Sequence, residues 1–200
     1  MDDQLKNLIL ASASKSRSQM LSNAGVEFKV QISSVDEAKV KGSYKPGSAG
    51  DLALKLAVLK ANNVSNKNKD ALVVGADQVL ECEGVLYDKP INFAAASSHL
   101  RALQGKQHRL ISSVCVACNN EILWDFTDSV NLTMRNLSDE FIQSYLAKSG
   151  PDILSTVGGY QLEGIGAQLF SRLEGDFFTV LGLPLLPLLD FLRKEKILNT

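Results

Sequence analysis

The sequence predicts an α/β fold: a mixed twisted sheet flanked by helices. Three observations predict it. Segments with strand and helix periodicity are interleaved along the chain. Two long strand-like segments, about 108–118 and 122–134, are joined by the turn Asn119-Asn120, which adds an antiparallel hairpin to an otherwise alternating order. No linker or composition break divides the 200 residues, so 1–200 is read as one domain.

The elements follow in order. Leu8-Ile-Leu10 is a short buried-type strand. Ser12 to Ser14 make a polar turn before a helix in which Arg17, Met20, Leu21 and Ala24 recur at three- and four-residue steps, closed by Gly25. Phe28 to Ile32 alternates like a strand, and Gly42 to Gly50 reads as a loop. Leu52, Leu56 and Leu59 form the apolar stripe of a second helix, with Lys60 about 80° round from Leu52, at its margin. Ala71 to Ala76 reads as a buried strand ending at Asp77. Glu83-Gly84 turns the chain back along Val85 to Tyr87, and Asn92 to Leu103 is helical, ended by Gly105. Ser138 caps a helix with Phe141, Tyr145 and Leu146 on one face. Gly158 to Gly166 is glycine-rich. Gly182 begins a last helix with Pro184 in its first turn and Arg193 and Lys194 in its last.

Composition narrows the function. Twenty-one basic residues against 22 acidic ones give a net charge of -1, which argues against a general nucleic-acid binder. A local basic pocket for a small anion is compatible with that balance. The N-terminal MDDQLKNLILASAS is neither a secretory signal nor a membrane span, and no apolar run nears the ~20 residues a spanning helix needs. The expectation is a cytoplasmic protein. The odd number of cysteines, Cys82, Cys115 and Cys118, suggests no disulfide framework. Cys115 and Cys118 lie three apart on a strand, hence on opposite faces, and make a poor chelate.

Three segments could carry chemistry. In Ala11-Ser-Ala-Ser-Lys-Ser-Arg-Ser18 a strand ends and a helix begins, and free N–H groups at a helix start favour phosphate. Ser12, Ser14 and Ser16 add hydroxyls, and Lys15 and Arg17 add charge. Read locally, the plainer account of the same residues is a serine-capped helix with two solvated bases. Gly75-Ala-Asp77-Gln78 puts an acid at a strand end, where it could order a water or take its proton, and Tyr87-Asp88-Lys89-Pro90 follows with a cation. The plain alternative is a strand-end Asp and a turn Lys. Gly158-Gly-Tyr-Gln-Leu-Glu163-Gly-Ile-Gly166 would let backbone approach a ligand. It is not a dinucleotide fingerprint, because Leu169 stands where the third glycine should be. His99 and His108 sit in no ligand-spaced pair, and no nucleophile elbow, P-loop or zinc-protease motif is present.

Taken in order, these pieces resemble the Maf family of nucleotide pyrophosphatases. The resemblance rests on Leu8-Ile-Leu-Ala-Ser-Ala-Ser14 with Arg17; Val35-Asp-Glu37; Leu59-Lys60-Ala61; Gly75-Ala-Asp-Gln78; Asp88-Lys89-Pro90; Leu103-Gln-Gly105 with His108; Gly159-Tyr160 with Glu163-Gly164; and Val180-Leu-Gly-Leu-Pro-Leu185. It implies a Maf or inosine-triphosphatase-like architecture with two lobes around a deep cleft, and cleavage between the α- and β-phosphates of nucleoside triphosphates with a divalent cation (Mg2+, Mn2+ or Co2+). By that resemblance Asp77 is the proton acceptor. Ser14, Arg17, Lys60 and Lys89 hold phosphates. Glu37, on the cleft wall, serves the metal with Asp77. A homodimer is implied too.

The chain departs from the family's Ser-Pro-Arg-Arg motif, reading Ser14-Lys15-Ser16-Arg17. Proline and the first arginine are missing, and Lys15 is placed to supply the lost charge, though not a guanidinium fork. Ser16, Gln78 and Glu163 bear on specificity. The thymidine/uridine branch of the family has Thr and Gln where Gln78 and Glu163 stand, and these two resemble the branch acting on 7-methyl-GTP. A carboxylate suits the N1 and N2 donors of guanine and the cationic ring of 7-methylguanine. The rival expectation is a non-catalytic nucleotide-binding regulator of cell division.

Overall fold

A computed structural model describes residues 7–42, 45 and 48–199. The N-terminal reading of residues 1–6 lies outside them. So do residues 43, 44, 46 and 47 of the expected Gly42–Gly50 loop, while Ala49 and Gly50 already belong to a helix.

Seven strands among the described residues form one sheet. They are β1 (Leu8–Leu10), β2 (Lys29–Val30), β3 (Leu72–Cys82), β4 (Val85–Tyr87), β5 (Gln107–Cys118), β6 (Glu121–Met134) and β7 (Phe170–Glu174). Their order is β2-β1-β3-β5-β6-β7, with β4 also on β3. The β2–β1 and β1–β3 pairs are parallel and the remainder antiparallel, so the expected mixed sheet is what the chain builds. The helices are α1 (Lys15–Asn23), α2 (Glu37–Lys41), α3 (Ala49–Ser65), α4 (Phe93–Leu103), α5 (Asp139–Ser149), α6 (Phe177–Val180) and α7 (Leu185–Lys194). Both tight hairpin turns use paired positive φ angles, Glu83-Gly84 and Asn119-Asn120, as the right-handed strand twist demands.

Several expectations need correction. The 28–32 strand shrinks to Lys29–Val30, because its sole partner β1 is three residues long; Val30 and Ile32 are exposed. β3 does not stop at Asp77. It runs on to Cys82, since β5 pairs with it through Glu81 and β4 through Cys82. The last helix starts at Leu185, not Gly182, whose φ of 96° is not helical. Helices α2 and α6 and strand β7 were not anticipated.

Alternation along β3 sorts the cores. Leu72, Val74 and Ala76 join α1 and α7 in one core, with Leu21, Leu188 and Leu192 fully buried. Further along the same face, Leu80 and Cys82 join α4 and α5 in a second core around Leu100, Leu103 and Ile142. These two cores are the two lobes. Cys115 and Cys118 belong to different cores, as opposite faces require.

The other face of β3 carries α3. Its buried residues are Leu52, Ala53, Leu56, Ala57, Lys60, Ala61 and Val64, besides Ala49 and Ser65 at its ends. At about 100° per residue this arc is centred on Lys60. The leucine stripe alone mis-centres it, and Leu59 lies outside the arc and is exposed. The alanine seam lets the helix lie against Gly75. A Cβ there would collide with the Ala57 carbonyl oxygen and sit 2.8 Å from the Ala61 Cβ. Gly75 thus sets the depth at which Lys60 meets the sheet.

Gly75→Ala should force α3 off β3 and destabilise the fold by about 2–3 kcal/mol, an ordinary cost of overpacking. Urea unfolding of the two proteins checks it.

Candidate active site

The sheet itself opens the site. On one edge of β3, β1 pairs through Leu10 and Val74, and Ala11 N–H donates to the Val74 carbonyl. On the same edge β4 begins only at Leu80. Between them, residues 75–79 have no strand on that side. A cleft of about 470 Å³ fills the gap, lined from both lobes and from α2 and α3. Asp77 and Gln78 line it from the middle of β3, on opposite faces of the strand.

The turn after β1 forms one wall. Ser14 is the N-cap of α1, its Oγ accepting from Arg17 N–H, and Ser12 Oγ accepts from Ser14 N–H. Arg17 is buried in the first turn. Its Nε donates to the Gly182 carbonyl at 2.7 Å, and Nη1 donates to Ser12 Oγ and the Ala76 carbonyl, both at 3.1 Å. One guanidinium thereby ties α1, the open edge of β3 and the segment after α6. Burial pulls the Arg17 guanidinium below its ordinary pKa, and the charges of Asp77 and Glu37 oppose the fall. Ser14, Lys15 and Ser16 also face the cleft.

The carboxylates meet on Lys60. Its Nζ lies 2.6 Å from Asp77 Oδ1 and 2.7 Å from Glu37 Oε1. Glu37 opens α2, which Asp36 caps through Lys39 N–H. Lys41, one turn on, reaches Asp88 Oδ1 at 2.5 Å and lies 3.9 Å from Glu37 Oε2. An alternating row of five charges results: Asp77, Lys60, Glu37, Lys41, Asp88. Burial pushes the Glu37 carboxyl up, but the Lys60 hydrogen bond and the charges of Lys60, Lys41 and Lys89 outweigh it and hold the group below its usual range. The Lys89 ammonium falls below its usual value through burial, with Arg17 and Lys60 adding to the fall against the pull of Glu37 and Asp77. Asp77, Arg17, Lys60 and Lys89 therefore share one field.

Asp77 Oδ2 is buried with no hydrogen-bond partner. An unmatched buried carboxylate oxygen is costly unless a donor or cation arrives with a ligand. Among the described residues no three His, Cys, Asp or Glu side chains gather as a metal cage. Glu37 and Asp77 nonetheless fit a divalent cation of the kind that takes one or two carboxylates, keeps waters and draws its other ligands from phosphate.

The opposite wall comes from the 3₁₀ segments after α5. Asp152, Thr156, Tyr160, Gln161 and Glu163 line it. Glu163 lines the cleft and is exposed. Gln78 is more constrained than the sequence suggested. Its Nε2 donates to Ser112 Oγ and to the carbonyls of Thr179 and Val180, each at 3.0 Å, leaving Oε1 as its group for a ligand. Sequence reasoning missed Lys41 and Asp152. The i, i+4 spacing of Glu37 and Lys41 behind the capping Asp36 was the available signal for Lys41; Asp152 carried none.

These features define a class: a mixed α/β protein whose sheet edge opens into a cation-lined cleft holding a paired aspartate and glutamate. The chain belongs to the family described as Maf-like protein, whose model matches residues 7–195. It is 46% identical over 96% of its length to the nucleoside triphosphate pyrophosphatase of Nitrobacter winogradskyi, covering 95% of that protein. It is 47% identical over 94% of its length to the protein of the same name from Paramagnetospirillum magneticum, covering 97% of it. The 7-methyl-GTP pyrophosphatase of Rhizobium meliloti is 46% identical over 94% of this chain and 95% of its own. The solved structure of the Staphylococcus aureus Ham1 protein overlaps in part, with a TM-score of 0.44 and 15% identity over 66% of this chain and 73% of that one. Among the described residues no helix is long and apolar enough to cross a membrane.

His108 supports the wall from behind. Its Nε2 lies 2.8 Å from the Tyr160 hydroxyl, its Nδ1 is buried without a partner, and burial brings its pKa down to about 4 from 6.5. Between those values the unfolded chain binds a proton that the folded chain refuses. Stability should therefore fall as pH drops from 6.5 toward 4, by up to about 3 kcal/mol from this residue. His108→Gln should remove that component, so the gap between variant and parent should narrow on acidification in urea titrations.

Proposed function

We propose that the chain is a nucleoside triphosphate pyrophosphatase, a hydrolase that adds water to the α-phosphorus and releases nucleoside monophosphate and pyrophosphate. The observation that carries this reading is the meeting of Asp77 with Lys60, Arg17 and Lys89 in one cleft. The names of the relatives agree with it.

The chemistry asks little of the protein beyond position and charge. A triphosphate concentrates negative charge, and attack by water needs that charge neutralised and the leaving pyrophosphate stabilised. Lys60, Lys89, Lys15 and the Nη2 of Arg17 are the cations offered. Ser14, at the start of α1, presents the helix N-terminus to a phosphate. Asp77 orients the attacking water and takes its proton, with Oδ2 as its unengaged oxygen. A divalent cation held by Glu37 and Asp77 would neutralise phosphate charge and polarise the bond to be cleaved. The step needs no nucleophilic side chain.

For the base, we infer a guanine nucleotide, 7-methyl-GTP foremost. Glu163 supplies a carboxylate for the N1 and N2 donors or for a cationic ring, and Asp152 adds a second one on the same wall. The name of the Rhizobium meliloti relative agrees. The site takes free nucleotide rather than nucleic acid, since the net charge of -1 supplies no track for a polyanionic strand. Three free thiols fit a reducing compartment, hence the cytoplasm, and a homodimer is the state kinship implies.

Asp77→Asn should lower pyrophosphate release by about 10²–10⁴-fold, the range of a general base, while nucleotide binding persists. Nucleotide binding without release by the parent protein would instead favour a non-catalytic regulator. In side-by-side turnover, 7-methyl-GTP and GTP should exceed dTTP and UTP. Glu163→Gln should shrink that preference by about tenfold, the scale of a lost charge-assisted hydrogen bond. A pyrimidine preference in the parent overturns the base assignment.

A further inference from the structure

Lys60 occupies an unexpected position for a residue meant to hold phosphate. Its ammonium touches one oxygen of each carboxylate assigned to the metal, and its side chain is 9% exposed. An ammonium in that place does for Asp77 and Glu37 what a shared cation does: it neutralises both and holds them together. Two cations cannot share it, because like charges a few ångströms apart in a partly buried site repel strongly. Lysine is suited to leaving, as a point charge on a flexible four-carbon stem. Its exit needs a compensating anion, and a triphosphate is one. The carboxylates alone make a weak divalent site, with no third acid or imidazole gathered beside them among the described residues.

We propose that Lys60 is a seat-holder for the divalent cation. In the nucleotide-free protein it bridges Asp77 and Glu37 and keeps the metal out. An incoming triphosphate draws the ammonium to its phosphates and frees the carboxylates, so the metal is admitted with the nucleotide and is not resident. This inference rests on the pyrophosphatase reading for the identity of the anion. The competition between Lys60 and metal does not.

The test is binding of Mn2+ alone to the full chain without nucleotide, followed by the electron paramagnetic signal of free Mn2+ and by thermal melting. The parent should bind weakly. Lys60→Met should tighten binding by about tenfold or more, since two neighbouring carboxylates lose their competitor. Mn2+ should also raise its melting temperature more than that of the parent. Lys60→Arg, which keeps the charge, should stay near the parent. Lys89→Met, which removes a cleft cation outside the bridge, should tighten binding by less than about threefold. If Lys60→Met is unfolded without metal, Mn2+ should restore its fold; Lys60→Gln, read in the same way, covers failure to recover.

Parent protein binding Mn2+ as tightly as Lys60→Met overturns the proposal. So does equal tightening in Lys89→Met, which would reduce the effect to overall charge. Pyrophosphate release by the parent with Mg2+ is scored separately. Release without tightening in Lys60→Met sinks the seat-holding role alone, and tightening without release sinks the enzymatic reading alone.

Discussion

Strand β3 outruns its neighbours on one side. β1 leaves it after Val74, β4 joins it at Leu80, and the residues between keep β5 as their one neighbouring strand. A buried strand edge must find partners for its polar groups, and the way this chain supplies them defines the site. Arg17 takes the Ala76 carbonyl on that edge, while the Gln78 side chain holds the α6 segment through the carbonyls of Thr179 and Val180. The same interruption divides the apolar face into two cores, because no hydrophobic side chain occupies position 78 between Ala76 and Leu80. Cleft, lobes and site follow from one mismatch of strand lengths.

Charge has to be managed in such a gap. Arg17, Lys60 and Asp77 are all buried, and burial of an unpaired ion costs several kcal/mol. Alternation answers the problem. Each anion of the row from Asp77 to Asp88 sits against a cation, and Arg17 gives its Nε and Nη1 to carbonyls and a hydroxyl. Lys89 stands outside that row: burial lowers its pKa first, and the charges of Arg17 and Lys60 add to the fall. An anion in the cleft would add to the pull of Glu37 and Asp77 on that ammonium.

Much of this was legible in the chain. Hairpin turns at Glu83-Gly84 and Asn119-Asn120, the cap Ser138, and the mixed sheet all follow from local chemistry. Errors arose where partners at a distance decide. Periodicity cannot say that β3 continues past Asp77, because its far end is held by β4 and β5. Counting leucines misplaced the face of α3, whose other half is alanine, and so put Lys60 at a margin it does not occupy. The five-residue helix α2 is too short for periodicity to show, and only the Asp36 cap and the Glu37–Lys41 spacing marked it. Resemblance gathered Asp77, Lys60, Arg17 and Lys89 as one set, but which atoms meet, and that Lys60 stands between two acids, needed coordinates.

The parallel pair β1–β3 has a consequence in time. Leu8 meets Leu72 only after three helices have been spanned, whereas β5 and β6 are joined by a two-residue turn. Local hairpins close in about 1–10 μs, and pairings distant in sequence form late because loop closure must come first. The antiparallel hairpin thus has a short loop to close, and the β1–β3 pair a long one. Docking of β1 is also what brings Ser14 and Arg17 to the sheet. The anion-facing turn thus hangs on the strand pairing that spans the longest stretch of chain in this sheet.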